Sequence, residues 1–273
     1  MPEGLFPGGA PFNVAYHLHR LGAEVHLISA IGRDRLGDEL LRRLRHWGID
    51  DHAIVRHHGL PTGNVIATLG DGGDARYEIT ESVAWDQIIV NEDALGPAMR
   101  ADAIVFGSLA QRSPLNLAAI ERLLKVMPAP AWRVFDVNLR PPHDDLELVR
   151  RLANEATLLK LNAVEAARLV TGATEEEPGA EEAMARALAE HHGCTAVCIT
   201  CGERGAGLLR DGAWYWENGH KVEVADTIGA GDAFLARLLS HLLKGEADPA
   251  AALRSATRHG EWVASQRGAT PEY

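Results

Sequence analysis

The run Asp226-Thr227-Ile228-Gly229-Ala230-Gly231-Asp232 leads directly into an apolar stretch, AFLARLLSHLL, and the pattern predicts a helix over 232–243. Two glycines let the backbone approach a ligand closely, and the first N–H groups of a helix have no intrahelical acceptor. Together they form an anion hole, in which the positive helix end stabilises charge building on a transferring phosphoryl group. Asp232 stands in that first turn, where the dipole favours its ionised form, so it can accept a proton from an attacking hydroxyl. A low pKa makes it a weak base, which suffices because phosphoryl transfer passes through a loose transition state. The plainer reading is an acid that simply favours a helix start.

A second loop-to-helix junction, Gly8-Gly9-Ala10-Pro11-Phe12-Asn13, precedes VAYHLHRLG. Pro11 suits a first helical position, Val14, Leu18 and Leu21 make an apolar stripe, and Gly22 ends the helix. Paired glycines expose backbone donors and Asn13 offers both donor and acceptor, a set suited to a polyhydroxylated ligand. A tight turn entering a core helix accounts for the same residues.

These junctions need elements to position them. From about Ala23 onward, short β-rich runs alternate with amphipathic helical runs, which predicts an α/β fold with a mostly parallel sheet covered by helices. Strands are expected at 25–30, 102–107, 132–137, 157–161 and 195–201, and helices at 35–47, 114–126, 144–155, 162–171, 180–192, 232–243 and 248–266. Residues 205–224 read as further hairpin strands. Between His52 and Ser82 the period shortens to HAIVRHH, TGNVIATL and ARYEIT, separated by Leu60-Pro61-Thr62-Gly63 and Asp71-Gly72-Gly73-Asp74. That pattern predicts a small antiparallel sheet inserted at 52–82, either a lid over a site or an edge and dimer surface.

Ligands of open α/β sheets bind beyond the carboxyl ends of the strands. Here those ends are polar: VFDV runs into Asn138-Leu139-Arg140, LLKL into Asn162-Ala163-Val164-Glu165, and VCIT into Cys201-Gly202-Glu203-Arg204-Gly205. Arg140 offers a planar fork to phosphate, and Asn and Glu oxygens can hold Mg²⁺ directly or through water. Asn162 with Glu165 three residues later equally suits a helix capping box.

Composition bounds the class. At 273 residues, 46% hydrophobic and 24% charged, the chain suits one large domain spanning 1–273, and no apolar run approaches the roughly 20 residues of a membrane helix. A net charge of −11 argues against a nucleic-acid or membrane partner, so an anionic ligand needs a local device. Cys194, Cys198 and Cys201 are too clustered to staple such a domain, and neighbouring strand residues point to opposite faces, which disfavours zinc with His191 and His192. With no signal-like segment at the start, the expected location is cytoplasmic.

The pair GGAPFNVAYHLHRLG and DTIGAGDAFLARLL, with PTGNVIATL, FDVNLRPP, KLNAVEA and ITCGERGAG in order between them, resembles the ribokinase-like (PfkB) carbohydrate kinases over almost the whole chain, most of all the fructokinase branch. The resemblance implies a three-layer α/β sandwich with a β lid, and ATP-dependent phosphorylation of a sugar hydroxyl, fructose first. It implies Asp232 as catalytic base, with Gly229, Ala230 and Gly231 completing the anion hole. Gly8, Gly9 and Asn13 would contact the sugar and Arg140 the transferring phosphate. Asn162 and Glu165 would be tied to Mg²⁺, Thr200, Gly202 and Gly205 to the nucleotide, and Ala256 and Gly260 to the adenine surroundings. Asp226 matches a residue that helps bind a monovalent cation such as K⁺ in some members. The expected partners are a sugar and ATP, with a homodimer through the lid. Family members begin with a core strand followed by an acidic residue, whereas this chain offers only Met1-Pro2-Glu3-Gly4 before the glycines. The first core strand is therefore expected to be missing, which leaves open a nucleotide-binding protein with impaired catalysis. A kinase for ribose, 2-keto-3-deoxygluconate or a nucleoside is the other alternative.

Overall fold

In the computed structural model the residues described are 6–69, 75–245 and 248–273. Along the chain come α1 (Ala10–Arg20), β1 (Ser29–Gly32), α2 (Arg35–Trp47), β2 (Ile54–His57), β3 (Val65–Leu69), β4 (Ala75–Ile79), α3 (Glu92–Ala98), β5 (Ala103–Gly107), α4 (Pro114–Val126) and β6 (Trp132–Asp136). They are followed by α5 (Leu146–Ala153), β7 (Leu158–Asn162), α6 (Ala163–Val170), α7 (Glu181–His192), β8 (Ala196–Thr200), β9 (Gly205–Arg210), β10 (Ala213–Asn218), α8 (Ala230–Leu243) and α9 (Pro249–Ala264). Two compact units result, one of Met1–Val25, Ala101–Leu109 and Pro128–Tyr273, the other of His26–Arg100 and Ala110–Met127.

The first unit is built on a six-stranded sheet in the order β10-β9-β8-β7-β6-β5. Strands β5 to β8 run parallel, and β9 and β10 return antiparallel. Four of the five β7 residues and four of the five β8 residues are buried, as expected of strands covered on both faces. Val14 and Leu18 of α1 and Phe234, Leu235, Leu238, Leu239 and Leu242 of α8 join Val134, Leu158, Cys198 and Leu208 of the sheet in one core. Burying such side chains contributes about 1.5–3 kcal/mol each. Helix α8 packs on both α1 and α9, which brings the two loop-to-helix junctions of the sequence side by side. Among the described residues no strand precedes α1.

The second unit departs from the expected pattern. The hairpin β3–β4 is antiparallel, with Val65 opposite Ile79, and the Asp71-Gly72-Gly73-Asp74 turn lies outside the described residues. The HAIVRHH run instead forms β2, parallel to β1, with Ser29 opposite Ile54 and Gly32 opposite His57. The reason is α2, long enough to carry the chain back for a parallel pairing and sharply bounded at both ends. The Asp34 side chain accepts the Gly37 N–H at its start (2.9 Å), and Gly48 ends it at φ +79°. The strand expected at 25–30 begins only at Ser29, with His26 making an isolated bridge to Asp50.

Candidate active site

The site gathers at the N-termini of α1 and α8 and the carboxyl ends of β6 and β7, all within the first unit. Pro11 sits in the first turn of α1, and the Gly9 carbonyl accepts the Asn13 N–H at 2.9 Å. One turn into the helix, the buried Asn13 Nδ2 donates to Asp232 Oδ2 at 2.8 Å. Asn13 Oδ1 is also buried and has no hydrogen-bond partner among the described residues. A buried unpaired acceptor is costly, about 1–3 kcal/mol, so this one is poised for a hydroxyl donor.

Helix α8 begins at Ala230, two residues before the expected start at 232. Gly229 is its N-cap at φ +80°, and a side chain there would run into Ala269, so only glycine fits. The Ala230 N–H donates to Thr227 O (3.3 Å), which leaves the next N–H groups, those of Gly231 and Asp232, at the open helix end. Asp232 is 8% exposed. Burial and the Asp136 carboxylate push its pKa up to about 6, against the pull of the Asn13 hydrogen bond, Lys160 and Arg140. The sequence suggested a strongly acidic first-turn residue; in the fold, desolvation outweighs the helix dipole and makes Asp232 a better base.

The residues that sequence reasoning missed are Asp136 and Lys160. Register places Asp136 of β6 opposite Lys160 of β7, and the Lys160 Nζ lies 3.0 Å from Asp136 Oδ1, both side chains less than a tenth exposed. Burial disfavours the ammonium, but Asp136, Glu165 and Asp232 outweigh it and hold the Lys160 pKa above its ordinary value. The available signal was a single charge in each of two otherwise apolar strand runs, VFDV and LLKL.

Asn162 and Glu165 form the capping box of α6. Asn162 Oδ1 accepts the Glu165 N–H, and Glu165 Oε2 accepts the Asn162 N–H, each at 2.8 Å. Glu165 Oε1 takes the Leu139 N–H at 2.7 Å, so this buried carboxylate also ties the loop after β6 to β7. Burial raises its pKa, with Lys160 pulling against the rise. Arg140 is exposed at the same strand end, its Nη1 donating to Leu139 O (2.9 Å).

The other expected residues lie farther along the sheet and on α9. Thr200 ends β8, with its hydroxyl 3.4 Å from Leu161 O, and Gly202 and Gly205 bracket a single helical turn leading into β9. Ala256 is fully buried in the core, and Gly260 faces the Ala230 carbonyl and Phe234 of α8. Asp226 Oδ1 accepts the Ile228 N–H (3.0 Å) and Oδ2 the Gly268 N–H (3.3 Å), fastening the loop before α8 to the segment after α9. Gly8 and Gly9 are exposed just before α1. Cys194, Cys198 and Cys201 are buried free thiols, and burial pushes the Cys198 thiol up to about 12, which suits core residues. Trp214 covers Gly207 across the β9–β10 pair, a packing contact within the sheet.

Comparison with known proteins identifies the family of the chain. Residues 4–272 match the pfkB family carbohydrate kinases. The uncharacterized sugar kinase PH1459 of Pyrococcus horikoshii is 30% identical over 238 residues, 87% of this chain and 74% of that protein. Its structure in complex with ATP superposes with a TM-score of 0.83 at 26% identity, over 97% of this chain and 85% of that one. Aminoimidazole riboside kinase of Salmonella typhimurium is 29% identical over 273 residues, 96% of this chain and 83% of that protein. Fructokinase-1 of Oryza sativa subsp. japonica is 25% identical over 281 residues, 97% and 84% of the two chains. The paired helix starts that hold Asn13 against Asp232 thus sit in a chain that belongs to the pfkB family of carbohydrate kinases, and it is a phosphotransferase of that kind.

Proposed function

We propose that the protein transfers the γ-phosphoryl group of ATP to a hydroxyl of a small sugar, fructose first among the candidates. The observation that carries this reading is the buried Asn13–Asp232 pair, one helix presenting an unpaired oxygen to a polyol and the other a base with its pKa near 6. The sugar binds through Gly8, Gly9 and Asn13, whose Oδ1 accepts one hydroxyl. Asp232 takes the proton of the attacking hydroxyl, whose oxygen bonds to the γ-phosphorus as the bond to ADP breaks. The Gly231 and Asp232 N–H groups, set by Gly229 and Ala230, bind the charge that develops, and exposed Arg140 steadies the moving group.

The nucleotide is assigned to Thr200, Gly202 and Gly205 at the end of β8. Ala256 and Gly260 shape the α9 surface behind the adenine without touching it. ATP binding is supported by PH1459, whose structure was solved with ATP. Glu165 and Asn162 fit a hydrated Mg²⁺ rather than direct coordination, because both Glu165 oxygens already accept backbone N–H groups. When bound, Mg²⁺ neutralises charge on the phosphate oxygens. A monovalent cation such as K⁺ is assigned to Asp226, beside the anion hole.

The fructokinase relative supports fructose, and the aminoimidazole riboside kinase makes ribosides the next acceptors to compare. The test is ADP release across fructose, ribose, 2-keto-3-deoxygluconate and nucleosides. The expected result is highest kcat/KM on fructose. ATP binding with no turnover on any acceptor would overturn the reading in favour of a nucleotide-binding protein.

A further inference from the structure

Burying an ammonium is costly even when it is paired, and an apolar pair at such a position is often as stable or more so. Lys160 is nonetheless 7% exposed, in a strand whose neighbours Leu158, Leu159 and Leu161 have no exposed surface. Its place in the fold gives the reason. Asp136 holds the Nζ at 3.0 Å, and a methyl group added at Gly231 would come within 3.3 Å of that same Nζ. The charged end of Lys160 therefore lies directly against the first turn of α8, and Gly231 has no side chain to separate the two. Three carboxylates, Asp136, Glu165 and Asp232, act on this ammonium.

Resting on the sugar-kinase reading above, we propose that Lys160 is a positioning residue of this site: anchored by Asp136 and seated against Gly231, it supplies the permanent buried positive charge behind the anion hole and beside Asp232. Its role is to keep the Asp232 carboxylate ionised while phosphoryl charge builds at the same helix start. A positive charge fixed in a dry site acts more strongly than one in water and needs no reorganisation during the reaction. Asp136 sets where that charge stands. The groups that face Asp232 are Asn13 from α1, Asp136 from β6, Lys160 from β7 and Arg140 from the loop after β6. Of the two cations, only Lys160 is buried, so only its field escapes screening by solvent.

A purely structural pair, tying β6 to β7, makes a different prediction, and two variants separate the cases. Lys160→Met leaves Asp136 buried without a partner, so the double variant Lys160→Met with Asp136→Asn removes both charges and protects the fold. The double variant is expected to keep its thermal midpoint near wild type and its KM for ATP within about threefold, while kcat falls at least about tenfold. In the folded single variant, ¹³C NMR of the Asp232 carboxyl is expected to show its titration moved to higher pH, with the acid limb of kcat following. Lys160→Arg, which keeps the charge, should hold both close to wild type. Full kcat in the double variant, or an Asp232 titration that Lys160→Met does not move, would overturn the proposal. The NMR titration reads Lys160 without turnover, so failure of the kinase reading, seen as absence of any phosphorylated sugar from the wild type, is distinct from failure of this one.

Discussion

Asp232 owes its usefulness to where the chain buries it. An exposed aspartate at a helix start would be a poor proton acceptor, whereas this one is lifted to about 6 by burial and Asp136. It must be ionised to accept a proton, so kcat/KM should be flat above pH 6 and fall about tenfold per unit below it. A pH series of initial rates checks this, and an acid limb near pH 4 would contradict it. Asn13 bonds Asp232 through Nδ2 and leaves Oδ1 without a partner among the described residues, the oxygen proposed to take a sugar hydroxyl. Asn13→Ala should therefore raise the sugar KM and lower kcat together, each by about tenfold or more, as expected for losing a hydrogen bond to a charged group. The two loop-to-helix junctions that carry the proposed site were legible because their signals are local: DTIGAGD and GGAPFN each announce a loop entering a helix. The 2.8 Å contact between them was not, because it joins residues 219 positions apart through the packing of α1 on α8.

At the scale of elements, two devices hold the site. Gly229 starts α8 in a left-handed conformation pressed against Ala269. Gly229→Ala should destabilise the protein by at least about 1–3 kcal/mol and remove most activity, read by chemical denaturation beside initial rates. Glu165 closes the α6 capping box and also receives the Leu139 N–H. Glu165→Ala should cost about 1–3 kcal/mol of stability by orphaning these backbone donors. The more conservative Glu165→Gln keeps one acceptor oxygen but turns an NH₂ group toward the other backbone N–H, so it should cost about 1–3 kcal/mol and still fold. It should demand more Mg²⁺ for half-maximal rate, and an unchanged Mg²⁺ requirement would reduce Glu165 to a cap. The helices at 35–47 and 114–126 were readable to the residue, since Asp34, Gly48 and Pro114 are strong boundary signals. The pairing of β2 with β1 was not, because alternation in HAIVRHH identifies a strand without naming its neighbour.

Across the whole molecule, the segment after α9 is bound back onto α1. The fully buried His17 meets Tyr273 OH through Nδ1 (2.9 Å) and Ala269 O through Nε2 (2.9 Å), while the Tyr16 hydroxyl donates to Pro271 O (2.6 Å). Burial lowers the His17 pKa to about 4, so between about 6.5 and 4 the unfolded chain takes up a proton that the folded chain refuses. Stability from this group is complete above pH 6.5 and is lost as the pH falls toward 4. Denaturant unfolding from pH 7 to 5 should show that loss, with a shallower slope in His17→Gln. The overall charge of −11 points away from anions, and in the proposed reading the start of α8 and the buried Lys160 supply the local positive potential that a phosphate needs. The central claim is that Asp232 activates a sugar hydroxyl toward ATP. ³¹P NMR of ATP and fructose with wild type and with Asp232→Asn tests it most directly. Wild type should convert the γ-phosphate resonance into a sugar phosphomonoester with stoichiometric ADP, and the variant should do so at least about a hundredfold more slowly. Equal rates in the two proteins, or release of inorganic phosphate without a phosphomonoester, would contradict it.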